Sequence, residues 1–163
     1  MPRILVAGVG NIFRGDDAFG VEVVRTLAAR GLPNDVRVVD FGIRGHDLAY
    51  ALLDGYDGAV LIDAARRGGR PGTLYLIEPD ARPASPLTGL DSHSVCLPAV
   101  FELVRLMNGR LPPMRLIGCE PQTLGTEQDG AMGLSEPVAA AVEPAADLVA
   151  RLIDETPWEV ACA

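Results

Sequence analysis

The stretch that decides the fold is residues 4–20, ILVAGVGNIFRGDDAFG, near the start of the chain. Its first residues, Ile4 to Ala7, are apolar and predict a buried strand, which leads through glycines to Asp16 and Asp17 at the start of an amphipathic helical pattern. A glycine turn between a strand and a helix ordinarily brings backbone N–H groups and the positive helix end to a phosphate. Two aspartates would repel that phosphate, whereas the helix dipole would keep them ionised. The pocket beyond this strand is therefore predicted to serve a cation or a proton transfer.

Length and composition indicate a single globular domain. With 163 residues, 48% of them hydrophobic, the chain can bury a core without a disulfide or a structural metal. We expect one domain over residues 1–155 and a C-terminal tail over residues 156–163. The sequence leaves open whether this tail, which contains Trp158, docks on the domain.

Charge and cysteine content limit the classes of partner. The net charge is −8 and all 14 basic residues are Arg, which disfavours nucleic acid because its binding needs a basic face. The three Cys form no CxxC pair, which indicates a reducing compartment. No apolar run approaches the ~18 residues that span a bilayer. We therefore expect a cytoplasmic protein without a nucleic-acid or membrane partner. We also expect a monomer, although no feature of the sequence decides the oligomeric state.

Short apolar runs alternate with helical patterns, which is typical of an α/β protein with helices on both faces of a sheet. We predict a three-layer α/β/α sandwich of the phosphorylase/hydrolase-like type, with strands at residues 3–8, 36–40, 59–63, 73–78 and 115–119 and helices at residues 16–30, 47–53, 95–108 and 135–154. Asp16 is the predicted N-cap of the first helix and Gly31 its stop. Only residues 64–72 separate the third and fourth strands, too few for a helical crossover. The five-stranded sheet is therefore predicted to be mixed, with its fourth strand antiparallel.

Acidic residues follow several of the predicted strands. Asp16 and Asp17 follow the first strand, Asp40 ends the second, Asp63 ends the third, and Glu120 follows the fifth. Ligands of open α/β sheets bind beyond the carboxyl ends of the parallel strands, so these carboxylates are expected to share one crevice.

One histidine is expected to join the carboxylates. His93 lies where an irregular segment enters a helix, and two carboxylates with one imidazole suit a borderline divalent cation while leaving positions for a partner's ligands. Each residue also has a structural interpretation taken alone: Asp17 in a helix first turn, Asp40 and Asp63 in turns, and His93 as a cap. Cys119 has no evident base and is expected to pack in the core, so no covalent nucleophile is predicted.

The whole chain resembles the maturation endopeptidases of nickel-iron hydrogenases. The motifs that carry the resemblance are GVGN at residues 8–11 with Asp16, Asp17 and Gly20, DFGIRG at 40–45, Asp63-Ala64, His93, GCEP at 118–121 and GLS at 133–135. Such proteases remove the C-terminal extension of the hydrogenase large-subunit precursor. The resemblance thus implies a peptide-bond hydrolase whose partner is that precursor.

The resemblance also implies roles for individual residues. Asp17, Asp63 and His93 would contact nickel, which belongs to the substrate and is not a permanent cofactor. Asp17 and Asp63 would then be catalytic, with Asp40 as the candidate for polarising water or orienting the peptide. The family more often has Gly-Gly-Thr where this chain has Phe41-Gly42-Ile43, so the substrate preference is expected to differ.

Three rival functions remain. A peptidyl-tRNA hydrolase-like esterase would share the fold but would need a basic groove. A nucleotide-binding module is opposed by Phe13, which occupies the third glycine position of the dinucleotide fingerprint, and by Asp16 and Asp17. A nickel-dependent chaperone that recognises the precursor without cutting it is separated from a protease only by an assay.

Overall fold

Strand β1 (Ile4–Val9) is buried along its whole length and lies inside a five-stranded sheet. The computed structural model describes residues 1–79, 96–125 and 132–158. The other strands are β2 (Val36–Gly42), β3 (Gly58–Ala64), β4 (Leu74–Ile77) and β5 (Met114–Cys119). The helices are α1 (Phe19–Arg30), α2 (Gly45–Leu52), α3 (Leu97–Leu106) and α4 (Glu136–Glu155), and a 3₁₀ turn over Gly15–Ala18 precedes α1.

The strand order is β2-β1-β3-β5-β4. β1 pairs in parallel with β2 and β3, β3 pairs in parallel with β5, and β4 is antiparallel to β5. The prediction of a mixed sheet with an antiparallel fourth strand is confirmed. Its physical reason is the short β3–β4 connection, which cannot cross over the sheet.

The two faces of the sheet bury separate cores because side chains alternate along each strand. Ile4 and Val6 of β1 pack under α1 and α4, whereas Leu5, Ala7 and Val9 pack under α2 and α3. Helices therefore cover both faces, which confirms the three-layer α/β/α sandwich.

The 3₁₀ turn lies close to the sheet because glycines leave room for it. Gly10 has φ +141°, and a Cβ there would overlap the carbonyl of Asp17. A Cβ at Gly20 would overlap the carbonyl oxygens of Val9 and Ile62, at the ends of β1 and β3. These glycines hold the turn and the start of α1 against the strand ends, instead of opening a phosphate cradle.

The prediction that Asp16 caps α1 is wrong. Asp16 lies inside the 3₁₀ turn, and the cap of α1 is Ala18, whose side chain cannot accept a hydrogen bond. Asp16 is fully buried and bonds to other parts of the chain. The Gly31 stop is confirmed, with φ +76° and its N–H bonded to the carbonyl of Leu27.

The chain after α4 reaches the opposite end of the sheet from the crevice. Trp158 is 5% exposed and belongs to the core under α1 and α4. Its ring fills the space that a side chain at Gly58 would need. Trp158 therefore docks on the domain, which answers the question the sequence left open. None of the helices in the described ranges is long and apolar enough to cross a membrane.

Candidate active site

The crevice of this fold is set by the strand order. The connection from β1 leads to β2 on one side, and the next connection crosses to β3 on the other, so the winding direction reverses between β1 and β3. Ligands of open α/β sheets bind outside the carboxyl ends of strands at such a reversal. Asp17 stands in the turn after β1 and Asp63 near the end of β3. The fold thus brings both predicted residues to the two sides of this crevice.

Asp17 and Asp63 form an acidic pair with unusual electrostatics. Burial raises the pKa of Asp17, against the hydrogen bond from the Asn11 N–H at 2.9 Å and the positive charge of Arg14, which lower it. Burial raises the pKa of Asp63 well above its ordinary value, and the negative charge of Asp17 raises it further. The hydrogen bond from the Ala64 N–H, at 2.8 Å, offsets only part of this. Two carboxylates with raised pKa values at the two sides of one crevice are candidates for proton transfer or for binding a cation.

Asp16 has the opposite electrostatics although it adjoins Asp17. Burial raises its pKa, but several hydrogen bonds outweigh burial and the net effect is a lowered pKa. The donors are the Ser135 N–H at 2.7 Å and its hydroxyl at 2.8 Å, the Gln122 N–H at 2.8 Å and the Thr123 N–H at 3.0 Å. Asp16 therefore fastens the start of α4 and the segment after β5 to the 3₁₀ turn, and its carboxylate is engaged.

Glu120 is a second structural carboxylate. Hydrogen bonds from the backbone of Arg67 lower its pKa most, burial opposes them, and the Tyr75 hydroxyl and the Gly68 N–H lower it further. Glu120 is 6% exposed and holds the loop between β3 and β4. Of the acidic residues that follow strands, Asp17 and Asp63 are thus distinguished by raised pKa values.

Asp40 lies inside β2, not at its end, because the strand continues to Gly42 past a register shift. It pairs with Gly8 of β1, and its carboxylate is 3.9 Å from the Arg25 guanidinium. The Arg44 side chain bonds the Asp40 carbonyl and the Phe41 carbonyl and so braces the loop that follows. Asp40 is half-buried, and its side chain is 41% exposed.

The sequence did not reveal that two apolar side chains after the first two strands, those of Phe13 and Ile43, are exposed. Ile43 is 53% exposed and Phe13 is 55% exposed, in loops joined by a 2.9 Å bond from the Gly10 N–H to the Gly42 carbonyl. The signal that could have found them is their position: each is a large apolar residue in a glycine-bounded loop after a parallel strand.

His93 lies outside the described residues, as do residue 95, where the predicted third helix begins, and parts of the two connecting segments 79–91 and 120–134. Within the described ranges no cluster of three or more His, Cys, Asp and Glu side chains could hold a metal. Cys119 is buried in the core as predicted. Burial, then the charges of Asp16 and Glu120, raise the pKa of its thiol to about 12, so it is no thiolate nucleophile.

Fold and site together define an α/β protein with a partly buried acidic pair in the crevice where such folds bind ligands. The family model described as "Hydrogenase maturation protease" matches residues 21–152. The hydrogenase 2 maturation protease of Escherichia coli is 31% identical over 156 residues, which cover 94% of this chain and 92% of that protein.

Solved structures of proteases agree with the family match. The hydrogenase maturating endopeptidase HybD from E. coli superposes with a TM-score of 0.78 at 31% identity over 94% of each chain. A hydrogenase 2 maturation peptidase from a Thaumarchaeota archaeon gives a TM-score of 0.71 at 33% identity, over 93% of this chain and 98% of that one. The chain belongs to the hydrogenase maturation protease family and is an endopeptidase of that family. The resemblance seen in the sequence is confirmed.

Proposed function

We propose that the protein removes the C-terminal extension of a nickel-loaded NiFe-hydrogenase large-subunit precursor in the cytoplasm, acting as a monomer, and that it recognises the precursor through nickel. The observation that carries the proposal is the acidic pair. Asp17 and Asp63 both have raised pKa values in the crevice of the sheet. A divalent cation delivered by the substrate would relieve their repulsion.

The chemistry of the donors fits a cation that arrives already bound elsewhere. Two carboxylates, with His93 as the third ligand that the resemblance implies, contain no thiolate. Such a set of ligands has a modest affinity for a free metal ion. It favours an ion that a partner already holds and that still has open coordination positions. Nickel would then report that the precursor has received its metal before the extension is cut.

The end of β2 and the loop that follows it are where we expect a peptide to bind next to that cation. Asp40 is the candidate for orienting the peptide or for polarising a water molecule. That water would add to the carbonyl carbon of the peptide bond, one of its protons would pass to the amide nitrogen, and the C–N bond would then break to release the amine. Ile43 and Phe13 offer exposed apolar surface in the two joined loops, where the side chains of a bound peptide would pack. Arg44 keeps the loop fixed by its bonds to the Asp40 and Phe41 carbonyls.

The test is the intact mass of the large-subunit precursor, nickel-loaded and nickel-free, after incubation with the protein. We expect loss of a C-terminal peptide from the loaded form alone. Asp17→Asn, Asp63→Asn and His93→Gln should each abolish that loss. Asp154→Asn, which removes an exposed carboxylate at the end of α4, should cut like the parent protein.

Two results would contradict the proposal. Cleavage of the nickel-free precursor at the same rate would remove nickel from recognition. Binding of the loaded precursor with no change in its mass would favour the non-cutting chaperone.

A further inference from the structure

A cationic loop lies at the same edge of the sheet as the acidic pair. Residues 65–72 join β3 to β4 and carry Arg66, Arg67 and Arg70, in a chain whose net charge is −8. We call these residues the arginine loop. All three arginines are exposed, and within the part of the chain that the structure describes none of them forms an ion pair.

The arginine loop is fixed from beneath by Glu120. This carboxylate accepts hydrogen bonds from the Arg67 N–H at 2.8 Å, the Gly68 N–H at 3.3 Å and the Tyr75 hydroxyl at 2.9 Å. The Gly72 N–H bonds the Glu120 carbonyl at 2.8 Å, and the Arg67 guanidinium lies 5.5 Å from the Tyr75 ring centre. The loop is therefore ordered before any partner arrives, which lowers the entropy cost of binding through its side chains.

The arginine loop is also close to the crevice. Arg66 is the third residue after Asp63, so their Cα atoms lie within about 11 Å of each other. About three extended residues of a peptide held near Asp63 would therefore suffice to reach Arg66.

The bonds within the loop restrict what it can bind. Loops that cradle phosphate do so with free backbone N–H groups, but Glu120 already occupies those of Arg67 and Gly68. The guanidinium groups remain, and their planar fork matches a carboxylate. The rest of this acidic chain would repel an acidic peptide, so that peptide would be steered to the arginine loop.

We propose that the arginine loop binds an acidic segment of the hydrogenase precursor beside the bond that is cut. This proposal rests on the proposed function and adds to it the chemistry of a second contact. It makes Arg66 and Arg70 specificity determinants, whereas Arg67 also packs on Tyr75.

The test compares two double variants with the same change in overall charge. Arg66→Glu/Arg70→Glu reverses the arginine loop. The control, Arg110→Glu/Arg151→Glu, reverses two exposed arginines, one in the segment before β5 and one near the end of α4. With the nickel-loaded precursor we expect the loop variant to raise KM about tenfold with kcat within about twofold, and the control to change neither. The rise should shrink in 0.5 M salt because exposed ion pairs are screened.

Charge reversal in the substrate gives an independent readout. A precursor whose Asp and Glu residues near the cut are changed to Lys should be a poor substrate for the parent protein and a better one for Arg66→Glu/Arg70→Glu. If the loop variant does not fold by circular dichroism, Arg66→Gln/Arg70→Gln replaces it, with a smaller expected rise in KM.

The outcomes separate this proposal from the proposed function. Equal KM values for the loop variant and the control, with cleavage by the parent protein intact, would overturn the arginine loop contact alone. If the parent protein cuts nothing, the proposed function fails, and the dissociation constants of both variants for the loaded precursor decide the loop contact. Equal dissociation constants would then overturn it.

Discussion

Asp16→Ala should destabilise the protein by about 3 kcal/mol, whereas Asp17→Asn one residue later should leave stability unchanged or slightly higher. Asp16 accepts four hydrogen bonds, two of them from Ser135. A bond to a charged acceptor contributes about 1.5–3 kcal/mol. Gln122 and Thr123 are exposed, so water replaces their lost partner. The two bonds from Ser135 then account for most of the loss.

Urea unfolding at several pH values measures this effect and its sign. The pKa of Asp16 is lowered in the folded protein. Its contribution to the free energy of unfolding is therefore present above the unfolded pKa of about 4 and is lost as pH falls through the lower folded pKa. The gap between the parent protein and Asp16→Ala should therefore be constant at neutral pH and close in acid. The reasoning is refuted if Asp16→Ala unfolds at the parent's urea midpoint, or if Asp17→Asn loses as much stability as Asp16→Ala.

Three further predictions concern other parts of the structure. Asp63→Asn should raise the free energy of unfolding by about 1 kcal/mol at neutral pH and abolish cleavage. Because the pKa of Asp63 is raised in the folded protein, the stability difference between this variant and the parent protein should widen as pH rises through that pKa. A difference that narrows with rising pH in urea unfolding would contradict this prediction. Trp158→Ala should lose about 3–5 kcal/mol in thermal unfolding by emptying the space beside Gly58, with cleavage per folded molecule unchanged. Glu120→Gln should speed hydrogen exchange at the Arg67 and Gly68 amides and cost about 1–2 kcal/mol, and unchanged exchange would contradict the anchoring role.

The sheet was predictable because its signal is local. Each strand is a short apolar run, and the number of residues between two runs decides whether a crossover fits. The residues at which the strands end were less predictable. β2 continues to Gly42 because a register shift lets it pair past Asp40, and no sequence pattern marks that shift.

The roles of the acidic residues were only partly predictable, because they depend on distant partners. Asp16 matches the local sequence pattern of a helix N-cap, but the groups that donate hydrogen bonds to it are 106 to 119 residues away in the sequence. Glu120 likewise binds residues 52 and 53 positions away. Local reasoning placed Asp17 and Asp63 at one edge of the sheet, but only the fold shows that burial raises both pKa values and that the charge of Asp17 raises that of Asp63 further.

The contrast between the two adjacent aspartates explains how one short sequence builds a site. The glycine at residue 10 lets the backbone of the turn lie against the strand end. Within that turn the side chains of Asp16 and Asp17 accept hydrogen bonds from different parts of the chain. Asp16 accepts hydrogen bonds from Gln122 and Thr123 after β5 and from Ser135 at the start of α4, and its charge stabilises the fold. Asp17 accepts a hydrogen bond from the Asn11 N–H and lies near the positive charge of Arg14, but burial outweighs both and raises its pKa. Asp16 accepts four hydrogen bonds, which leaves its carboxylate little capacity for a ligand. Asp17 and Asp63 each accept a hydrogen bond from a backbone N–H, and their pKa values are raised, so a cation delivered by a partner would gain most from this pair. In our proposal, the arginine loop beside the pair holds the acidic segment of that partner.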